Sequence, residues 1–576
     1  MIKIFIPIAF LCSVLFSAQV GINTATPDTT LDVRAINHLG TVSPADGILA
    51  PRVSSLSVNG TINGQLVYLI ADAAPYFQGF HYWDGAKWIA VSVKAANSWL
   101  TTGNAGTTSA NNFIGTTDSN PLRFRIYNTA SGRIDLSNTF FGYSSETAGQ
   151  NVNNSTVVGA SSGYSINAPG ATIIGAQNAV SALTGTSNTV IGYYSGRSLT
   201  SGTQNIILGE STGNYIVDGS NNVAIGNQAL GSTTGSIGSN IAIGNQAGKA
   251  INGYNNILLG PSAGAESTGN NSILIGLSAG GQNGAGDNVM IGSNSGANAG
   301  NGTMNTYLGS NTGQYAKGSG NTALGYIALS ASAGNTATQN NTVVGSYAAT
   351  SSIGQSNVIV GRGAGQGSGG VNGSTGNQNT FLGTNAGTNY NSASNNVAIG
   401  YNAALTNYSG NNNINIGAFS DISDNLTNAT AIGANSRVDQ SNSLVLGSVV
   451  NVNYATSSTN VGIGTTKPNS ALQVVGSVSM SIKIITANYT IADYDYQIVN
   501  KSTTPITITL PAASNANIGR IIKITNMNST SNATLKTIIG GTFVLMGSSQ
   551  VSSTANVNQF STFQSDGINW YELEVS

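Results

Sequence analysis

The sequence predicts an all-β fold, a β-solenoid of about 20 short repeats with a small β domain at each end. Three observations support this prediction. A short apolar unit recurs at intervals that are mostly 16 or 17 residues. The chain contains 74 glycines and only 7% charged residues, yet hydrophobic residues still make up 40%. Outside the repeats, residues 480–576 alternate apolar and polar positions as β-strands do.

The repeat unit has the pattern Asn-Asn-apolar-x-apolar-Gly, and residues 221–226 are a clear copy. Val223 and Ile225 have the same parity, so they point to one face of a strand while Ala224 points to the other. A unit this small cannot bury its apolar face alone. We therefore expect stacked copies to bury the Val223 and Ile225 positions in one continuous core.

A glycine follows the apolar run in every copy and anchors the alignment. Glycine there permits a positive φ or a close approach of backbone. The longer intervals before Gly345 and Gly383 contain Gly-, Ser- and Asn-rich insertions, which a solenoid tolerates on one face. The predicted repeat-defining residues are Gly142, Gly159, Gly175, Gly192, Gly209, Gly226, Gly244, Gly260, Gly276, Gly292, Gly309, Gly325, Gly345, Gly361, Gly383, Gly400, Gly417, Gly433, Gly447 and Gly464.

The regions beside the repeats differ from them in composition and share short segments with each other. Trp83-Asp84-Gly85 resembles Asp566-Gly567 followed by Trp570, and Asp-Gly between aromatic strands indicates a hairpin turn. The predicted organisation is a signal peptide at 1–18, a β-rich region at 19–130, the repeat array at 131–464, a connector at 465–480 and a C-terminal β domain at 481–576.

The first residues have the layout of a secretory signal peptide. Lys3 precedes an apolar run from Ile4 to Phe16, and small residues follow it. Cys12, the only cysteine, lies inside that run, so we expect a mature chain without disulfides or thiol metal sites. No later stretch is long and apolar enough for a membrane span, so we expect no transmembrane segment in the mature chain.

The repeats resemble the head repeats of YadA-like trimeric autotransporter adhesins, most closely at 221–309 and 395–403. This resemblance implies a left-handed parallel β-roll, a homotrimer, and adhesion at the surface of a Gram-negative bacterium. The flanking segments are similar to modules of bacterial fibre proteins and phage tail fibres. The interval here is longer than the family's usual one, and we find no heptad stalk, so the family's mode of anchoring is not carried over.

Reactive side chains are sparse, so we predict no catalytic, cofactor or metal site. The histidines are His38 and His81, and neither belongs to a ligand pattern. Residues 280–287 resemble a calcium β-roll motif only once and with the wrong spacing. The repeated asparagines could bind glycans, or they could stack as a ladder that satisfies turn backbone. A net charge of −1 argues against nucleic acid as a partner.

These observations together predict a non-catalytic, secreted or cell-surface adhesin or fibre protein, associated with the outer membrane. Its receptor, protein or glycan, is not identified by the sequence. One alternative is a phage-type tail fibre or receptor-binding protein. Another is a polysaccharide-binding solenoid, although the position after each repeat glycine is chemically mixed. The sequence contains no acid/base cluster, which argues against a polysaccharide lyase.

Overall fold

The structure is a computed structural model that describes residues 19–35, 47–91, 108, 113–145, 152–163, 165–179, 181–233, 237–331, 338–351, 354–367, 375–406, 409–527, 533–537, 543–545, 548–550, 552–555 and 559–575. The predicted signal peptide and His38 lie outside these residues. The chain forms two compact units, Met1–Thr117 and Asp118–Ser576. Strands and turns make up almost all of the described chain, which confirms the all-β fold class.

The first unit is built from short strands around a small aromatic core. Its strands are β1 (Val20–Ile22), β2 (Leu31–Val33), β3 (Arg52–Val53), β4 (Leu66–Leu69), β5 (Gly79–Trp83) and β6 (Trp88–Ala90). β1 and β2 form a parallel pair, and β3 to β6 form a four-stranded sheet. The rings of Trp83 and Trp88 lie 5.5 Å apart and pack with Leu69 in the core. β5 and β6 pair antiparallel across Asp84-Gly85, as the hairpin prediction requires.

The second unit opens with a long ladder of strands. β7 (Leu122–Ile126) and β8 (Thr129–Ile134) form an antiparallel hairpin, and β8 pairs with β9 (Thr139–Phe141). From β9 onward each strand of the ladder runs parallel to the next. This arrangement confirms the predicted β-solenoid. Because β7 and β8 pair onto the first coil, the unit begins at Asp118, earlier than the boundary predicted at residue 130.

The remaining ladder strands have the following bounds. They are β10 (Thr156–Val158), β11 (Thr172–Ala176), β12 (Thr189–Tyr193), β13 (Ile206–Leu208), β14 (Val223–Ile225), β15 (Ile241–Ile243), β16 (Ile257–Leu259), β17 (Ile273–Ile275), β18 (Val289–Ile291), β19 (Thr306–Leu308), β20 (Thr322–Leu324), β21 (Thr342–Val344), β22 (Val358–Val360), β23 (Thr380–Leu382), β24 (Val397–Ile399), β25 (Ile414–Ile416), β27 (Thr430–Ile432) and β29 (Leu444–Leu446). A second, short parallel pair joins β26 (Asp421–Ile422) to β28 (Arg437–Val438).

The ladder stacks each position of the repeat into a column, because neighbouring strands are in register residue for residue. Val223, Ala224 and Ile225 of β14, for example, lie opposite Ile241, Ala242 and Ile243 of β15. A side chain therefore meets the equivalent side chain of the coil before and of the coil after. Whatever the repeat places at one position is displayed along the whole array.

The interior of the coils is filled by the central residue of each strand, and this reverses the sequence prediction. Ala224 is fully buried, whereas Val223 and Ile225 are only partly buried. In β15 the same pattern holds more strongly, with a buried Ala242 between two exposed isoleucines. The prediction that the flanking apolar pair forms the core is therefore wrong. The alternation of residues along a strand shows that its central residue and its two flanking residues face opposite sides. It does not show which side is the interior.

Side-chain sizes inside the coil compensate one another. Where the central residue is large, as in Leu274 of β17, the fourth residue after the repeat glycine is another glycine, Gly280. A Cβ at Gly280 would lie 2.7 Å from Leu274 Cδ2. Where the central residue is Ala224, the fourth residue is instead Leu230, which is fully buried. In these coils the exchange keeps the interior close-packed. The coil with Ala242 has Gly248 at the fourth position instead, and there Leu230 and Leu258 of the neighbouring coils fill the space.

The repeat glycines occupy a column in which backbone approaches backbone. Gly276 has a φ of +128°, and a Cβ on it would lie 2.6 Å from the carbonyl oxygen of Gly292 in the next coil. The other glycines of the column from Gly142 to Gly417 have similar φ values and similar close approaches. L-residues with a side chain rarely adopt this φ. The spacing between coils therefore requires glycine here.

The ladder ends at β29, one unit earlier than the motif predicts. Gly464 follows β30 (Val461–Ile463), which pairs with β31 (Leu472–Val474) in a separate two-stranded parallel sheet. The pairing of β1 with β2 is of the same kind. The segment around Gly464 thus repeats the two-stranded element of the first unit rather than adding a coil.

The C-terminal domain has two sheets and its own core. Its elements are β32 (Ile482–Ile485), β33 (Tyr489–Thr490), β34 (Gln497–Asn500), β35 (Thr507–Leu510), a 3₁₀ helix (Asn515–Asn517), β36 (Ile521–Asn526), β37 (Ala533–Thr537), β38 (Phe543–Leu545), β39 (Ser548–Gln550), β40 (Ser552–Ala555), β41 (Phe560–Ser565) and β42 (Trp570–Val575). The strand orders are β32-β34-β36-β41-β42-β38-β39 and β33-β35-β37-β40. Ile508, Phe563 and Trp570 are fully buried in the core.

Candidate interaction surfaces of the coil array

An apolar column lies on the outer side of the coils. It consists of the third residue of each ladder strand, and we call it the outer column. Its members from β9 to β29 are Phe141, Val158, Ile174, Ile191, Leu208, Ile225, Ile243, Leu259, Ile275, Ile291, Leu308, Leu324, Val344, Val360, Leu382, Ile399, Ile416, Ile432 and Leu446. None of them is buried, and Ile243 and Leu382 remain 40% and 46% exposed. Every coil thus presents an apolar side chain at the same place.

The residue directly before each apolar run, which is asparagine in most coils, forms a buried ladder inside the array. In Asn240, Nδ2 donates to Asn222 Oδ1 at 3.1 Å and to the Gly253 carbonyl at 2.9 Å. Its Oδ1 accepts the backbone N–H of Asn256 at 3.0 Å. The asparagine ladder comprises Asn188, Asn205, Asn222, Asn240, Asn256, Ser272, Asn288, Asn305, Asn321, Asn341, Asn357, Asn379, Asn396 and Asn413. These amides satisfy backbone groups, as one of the two sequence hypotheses proposed, and they are not displayed to a ligand.

The described residues contain few reactive groups. No three His, Cys, Asp or Glu side chains come together there in a way that could hold a metal ion. His81 is buried in β5, and its Nδ1 lies 3.1 Å from the carbonyl oxygen of Gly79. Within the same residues no helix has the length and hydropathy of a membrane span.

The last coils of the array depart from the repeat. In the coils from Gly163 to Ala404, the fourth residue after the repeat glycine is Gly, Ala or Leu with a φ between +45° and +64°. The next two coils have Asp421 and Arg437 at this position, and there the chain forms β26 and β28 instead. Asp421 and Arg437 are register partners in that pair. A charged pair thus replaces the small residues at one corner of the coil.

A cavity of about 580 Å³ lies beside this charged pair, and we call it the terminal cavity. Its lining includes Asn402, Phe419, Asp421, Arg437, Asn451 and Tyr454. Asp421 is 4% exposed and accepts hydrogen bonds from the Thr406 hydroxyl at 2.6 Å and the Thr406 N–H at 3.3 Å. Burial raises the pKa of the Asp421 carboxyl, and the hydrogen bonds from Thr406 and the charge of Arg437 offset only part of that rise.

The guanidinium of Arg437 is held by three acceptors at different distances. Its Nε donates to Asp439 Oδ1 at 2.8 Å, and one terminal nitrogen donates to the Ser423 hydroxyl at 2.9 Å. The other terminal nitrogen lies 3.7 Å from Asp421 Oδ2, which is an ion pair but longer than a hydrogen bond. One nitrogen of this side chain therefore retains donor capacity beside the terminal cavity.

Comparison with known protein families identifies a likeness in the first unit. Residues 21–109 match the family model of the phage tail-like trimerisation region. The match lies in the first unit and includes β1 to β6. No curated protein matches the chain. The trimerisation region supports a homotrimer, and together with the solenoid it fits a fibre-like protein.

The asparagines and glycines of the array were predicted from the sequence, whereas the terminal cavity was not. The position of two charged residues within the repeat could have indicated the cavity. Aligning the coils on their repeat glycines places Asp421 and Arg437 in a column of Gly, Ala and Leu. Charged residues in two consecutive coils, in a column otherwise made of glycine, alanine and leucine, indicate a local change of structure.

Proposed function

We propose that the protein is a non-catalytic homotrimeric fibre that acts as an adhesin at the surface of a Gram-negative bacterium. The observation that carries the oligomeric part of this proposal is the outer column, which runs through the ladder from Phe141 to Leu446. Soluble monomers rarely expose contiguous apolar patches above a few hundred Å². Because identical columns can pack on one another, further copies of the same chain are suited to cover it.

The match to a trimerisation region supports three as the number of chains. Burial of aliphatic surface contributes about 25 cal/mol per Å², so a contact repeated in coil after coil adds up along the array. Secretion and cell-surface location rest on the predicted signal peptide. The adhesive role rests on the resemblance of the repeats to adhesin heads, with a protein or glycan receptor that is still unidentified.

Oligomeric state tests the structural half of the proposal. The mature full-length chain, measured by light scattering after size exclusion, is expected to have three times the monomer mass. Replacing Ile243 and Leu308 by Lys places charges in the outer column and should shift the mass toward the monomer. The matched control is Leu277→Lys, which alters a 52% exposed leucine outside that column. A monomeric wild-type chain, or equal behaviour of the three proteins, would contradict the proposal.

Attachment tests the adhesive half. Cells that produce the protein should be labelled by antibody without permeabilisation and should attach to host-cell or matrix-coated surfaces. Deletion of residues 118–459, which removes the coil array together with the β7–β8 hairpin and leaves β30 and β31 in place, is expected to abolish attachment. The deleted chain must still be detected at the surface and keep the fold of its flanking domains. Unchanged attachment of these cells would rule out the coil array as the adhesive element.

A tail-fibre function is the second candidate, and the match to a phage tail-like region favours it. In that case the chain assembles into particles in the cytoplasm and keeps its first 18 residues. Mass spectrometry of the N-terminus and fractionation of the producing cell distinguish the two functions. Uncleaved protein in cytoplasmic particles would reverse our preference.

A further inference from the structure

We propose that the terminal cavity is a saccharide-binding site, in which Asp421 and Arg437 bind neighbouring hydroxyls of a sugar and Tyr454 packs against its ring. The cavity volume of about 580 Å³ falls within the range of about 300–1,000 Å³ that is usual for small-molecule sites. The inference goes beyond the proposed fibre function. A chain that formed trimers but bound no sugar would refute only the saccharide site.

The polar groups suit a neutral polyol. The Arg437 nitrogen that is 3.7 Å from Asp421 has donor capacity, and the Asp421 carboxylate oxygens can accept further hydrogen bonds. Asn402 and Asn451 add amides to the same wall. The Asn451 side chain forms no hydrogen bond within the described part of the chain, and Asn402 accepts one through Oδ1 from Asn385 at 3.1 Å. Adjacent sugar hydroxyls, each both donor and acceptor, fit such a mixture.

The charges argue against an ionic ligand. Among the described residues that line the cavity, Arg437 alone is basic, and its charge is already matched by Asp421 and by Asp439 at 2.8 Å. An anion such as phosphate would lose its hydration without a free positive charge to replace it. A cation would meet a carboxyl that is paired with Arg437, buried, and raised in pKa by that burial. A neutral ligand has neither difficulty.

The aromatic groups supply the apolar side of the site. Phe419 packs edge-on against Tyr401 with ring centroids 5.3 Å apart, which holds it at the cavity wall. The Tyr454 ring lies 6.4 Å from Phe419 and is 85% exposed, so one face is open to solvent. Sugar rings carry a face of C–H groups that packs well on an aromatic ring.

The loop that carries Tyr454 is fixed to the coils rather than loose. Asn453 donates through Nδ2 to the carbonyl of Phe419 and, at 3.2 Å, to the carbonyl of Ser436. Asn435 donates in turn to the Asn453 carbonyl at 2.8 Å. Asn451, Asn453 and Tyr454 all have a positive φ between +49° and +65°.

The test uses the full-length secreted chain and defined sugars. Glucose, galactose, mannose, N-acetylglucosamine, N-acetylgalactosamine and their disaccharides are titrated by isothermal calorimetry and by ligand-observed NMR, with inorganic phosphate in parallel. We expect saturable binding of at least one sugar and none of phosphate. Tyr454→Ala and Arg437→Gln should each weaken that binding at least tenfold. Tyr254→Ala, which removes an exposed tyrosine elsewhere on the array, should leave it unchanged.

The variants are compared only if their trimer mass and circular dichroism match those of the wild type. Should Arg437→Gln alter the fold, Tyr454→Ala decides the matter, because its ring is 85% exposed and makes little contact. Absence of saturable binding for the whole sugar panel would overturn the proposal. So would binding of phosphate in place of sugars, or sugar binding that Tyr454→Ala and Tyr254→Ala affect equally.

Discussion

Replacing one member of the asparagine ladder should open the array at a defined place. The Asn240 side chain takes part in four hydrogen bonds: two donated by its Nδ2 and two accepted by its Oδ1 from Asn256. Asn240→Leu removes all four. The buried N–H of Asn256 then loses its acceptor, and the Gly253 carbonyl loses the amide donor.

The magnitude follows from those two backbone groups. A buried donor or acceptor left without a partner costs about 1–3 kcal/mol. Two of them give a local destabilisation of about 2–6 kcal/mol. Since about 1.4 kcal/mol is tenfold, amide exchange should accelerate by about one to four orders of magnitude. Hydrogen exchange followed by peptide mass spectrometry measures this change for the coils around Asn240. Local exchange is preferable to a melting temperature because repeat arrays do not always unfold cooperatively.

The array itself supplies the conservative comparison. Ser272 occupies a ladder position and still accepts the backbone N–H of Asn288 through its hydroxyl, at 3.3 Å. Asn240→Ser should therefore cost clearly less than Asn240→Leu. Asn245→Ala, at an exposed asparagine five residues away, should change exchange by less than threefold. The ladder argument fails if Leu and Ser at position 240 accelerate exchange equally, or if neither exceeds Asn245→Ala.

Three further predictions concern packing, backbone and pH. Gly280→Leu should destabilise its coil by about 1–3 kcal/mol, because the new side chain would overlap Leu274. Adding Leu274→Ala to the same chain should recover most of that stability. If the two substitutions are additive in a double-mutant cycle, the side chains do not compensate each other in size. Gly276→Ala should lower the free energy of unfolding more than Gly476→Ala does. Both glycines have a large positive φ, but a Cβ at Gly276 meets the next coil whereas a Cβ at Gly476 meets nothing within 4 Å. Equal losses in denaturant unfolding would show that the contact between coils is unimportant. The pKa of Asp84 lies below its ordinary value, because backbone N–H groups three and two residues further on donate to the carboxylate. Its contribution to hairpin stability is thus complete above the unfolded-state pKa and is lost as pH falls through the folded-state pKa. NMR titration of the Asp84 carboxyl should give a pKa below its ordinary value. Asp84→Asn should remove the loss of hairpin stability at low pH.

The strands of the array could be predicted from sequence because their signals are local. A short apolar run between Asn and Gly is too short for a helix, and the structure places Val223–Ile225 and its equivalents in strands. The burial of the Ala224 position could not be predicted. Period-two alternation separates two faces, and hydrophobicity normally identifies the inner one. Here the outer face is the more apolar in β14, which fits the contact between chains that we propose.

The site was less predictable than the fold. The terminal cavity depends on Asp421 and Arg437, which are 16 residues apart in sequence and meet only because the coils stack in register. Tyr454 reaches the same place from a loop beyond the last ladder strand. The repeat intervals imply the coil register, so the meeting of Asp421 and Arg437 could be inferred from them. They say nothing about the path of the loop that carries Tyr454.

The hydrogen bonds between coils also define how the array bears tension. Bonds such as Ile257 N–H to the Ser272 carbonyl join one coil to the next, so they point along the direction of stacking. A force along that direction acts on the few hydrogen bonds between the outermost coil and the next. We therefore expect the coils to detach one at a time. Each detached coil of 16 or 17 residues frees about 55 Å of chain, at about 3.4 Å per residue. Under flow the array would lengthen in small steps and dissipate force, which single-molecule stretching would record as a regular sawtooth.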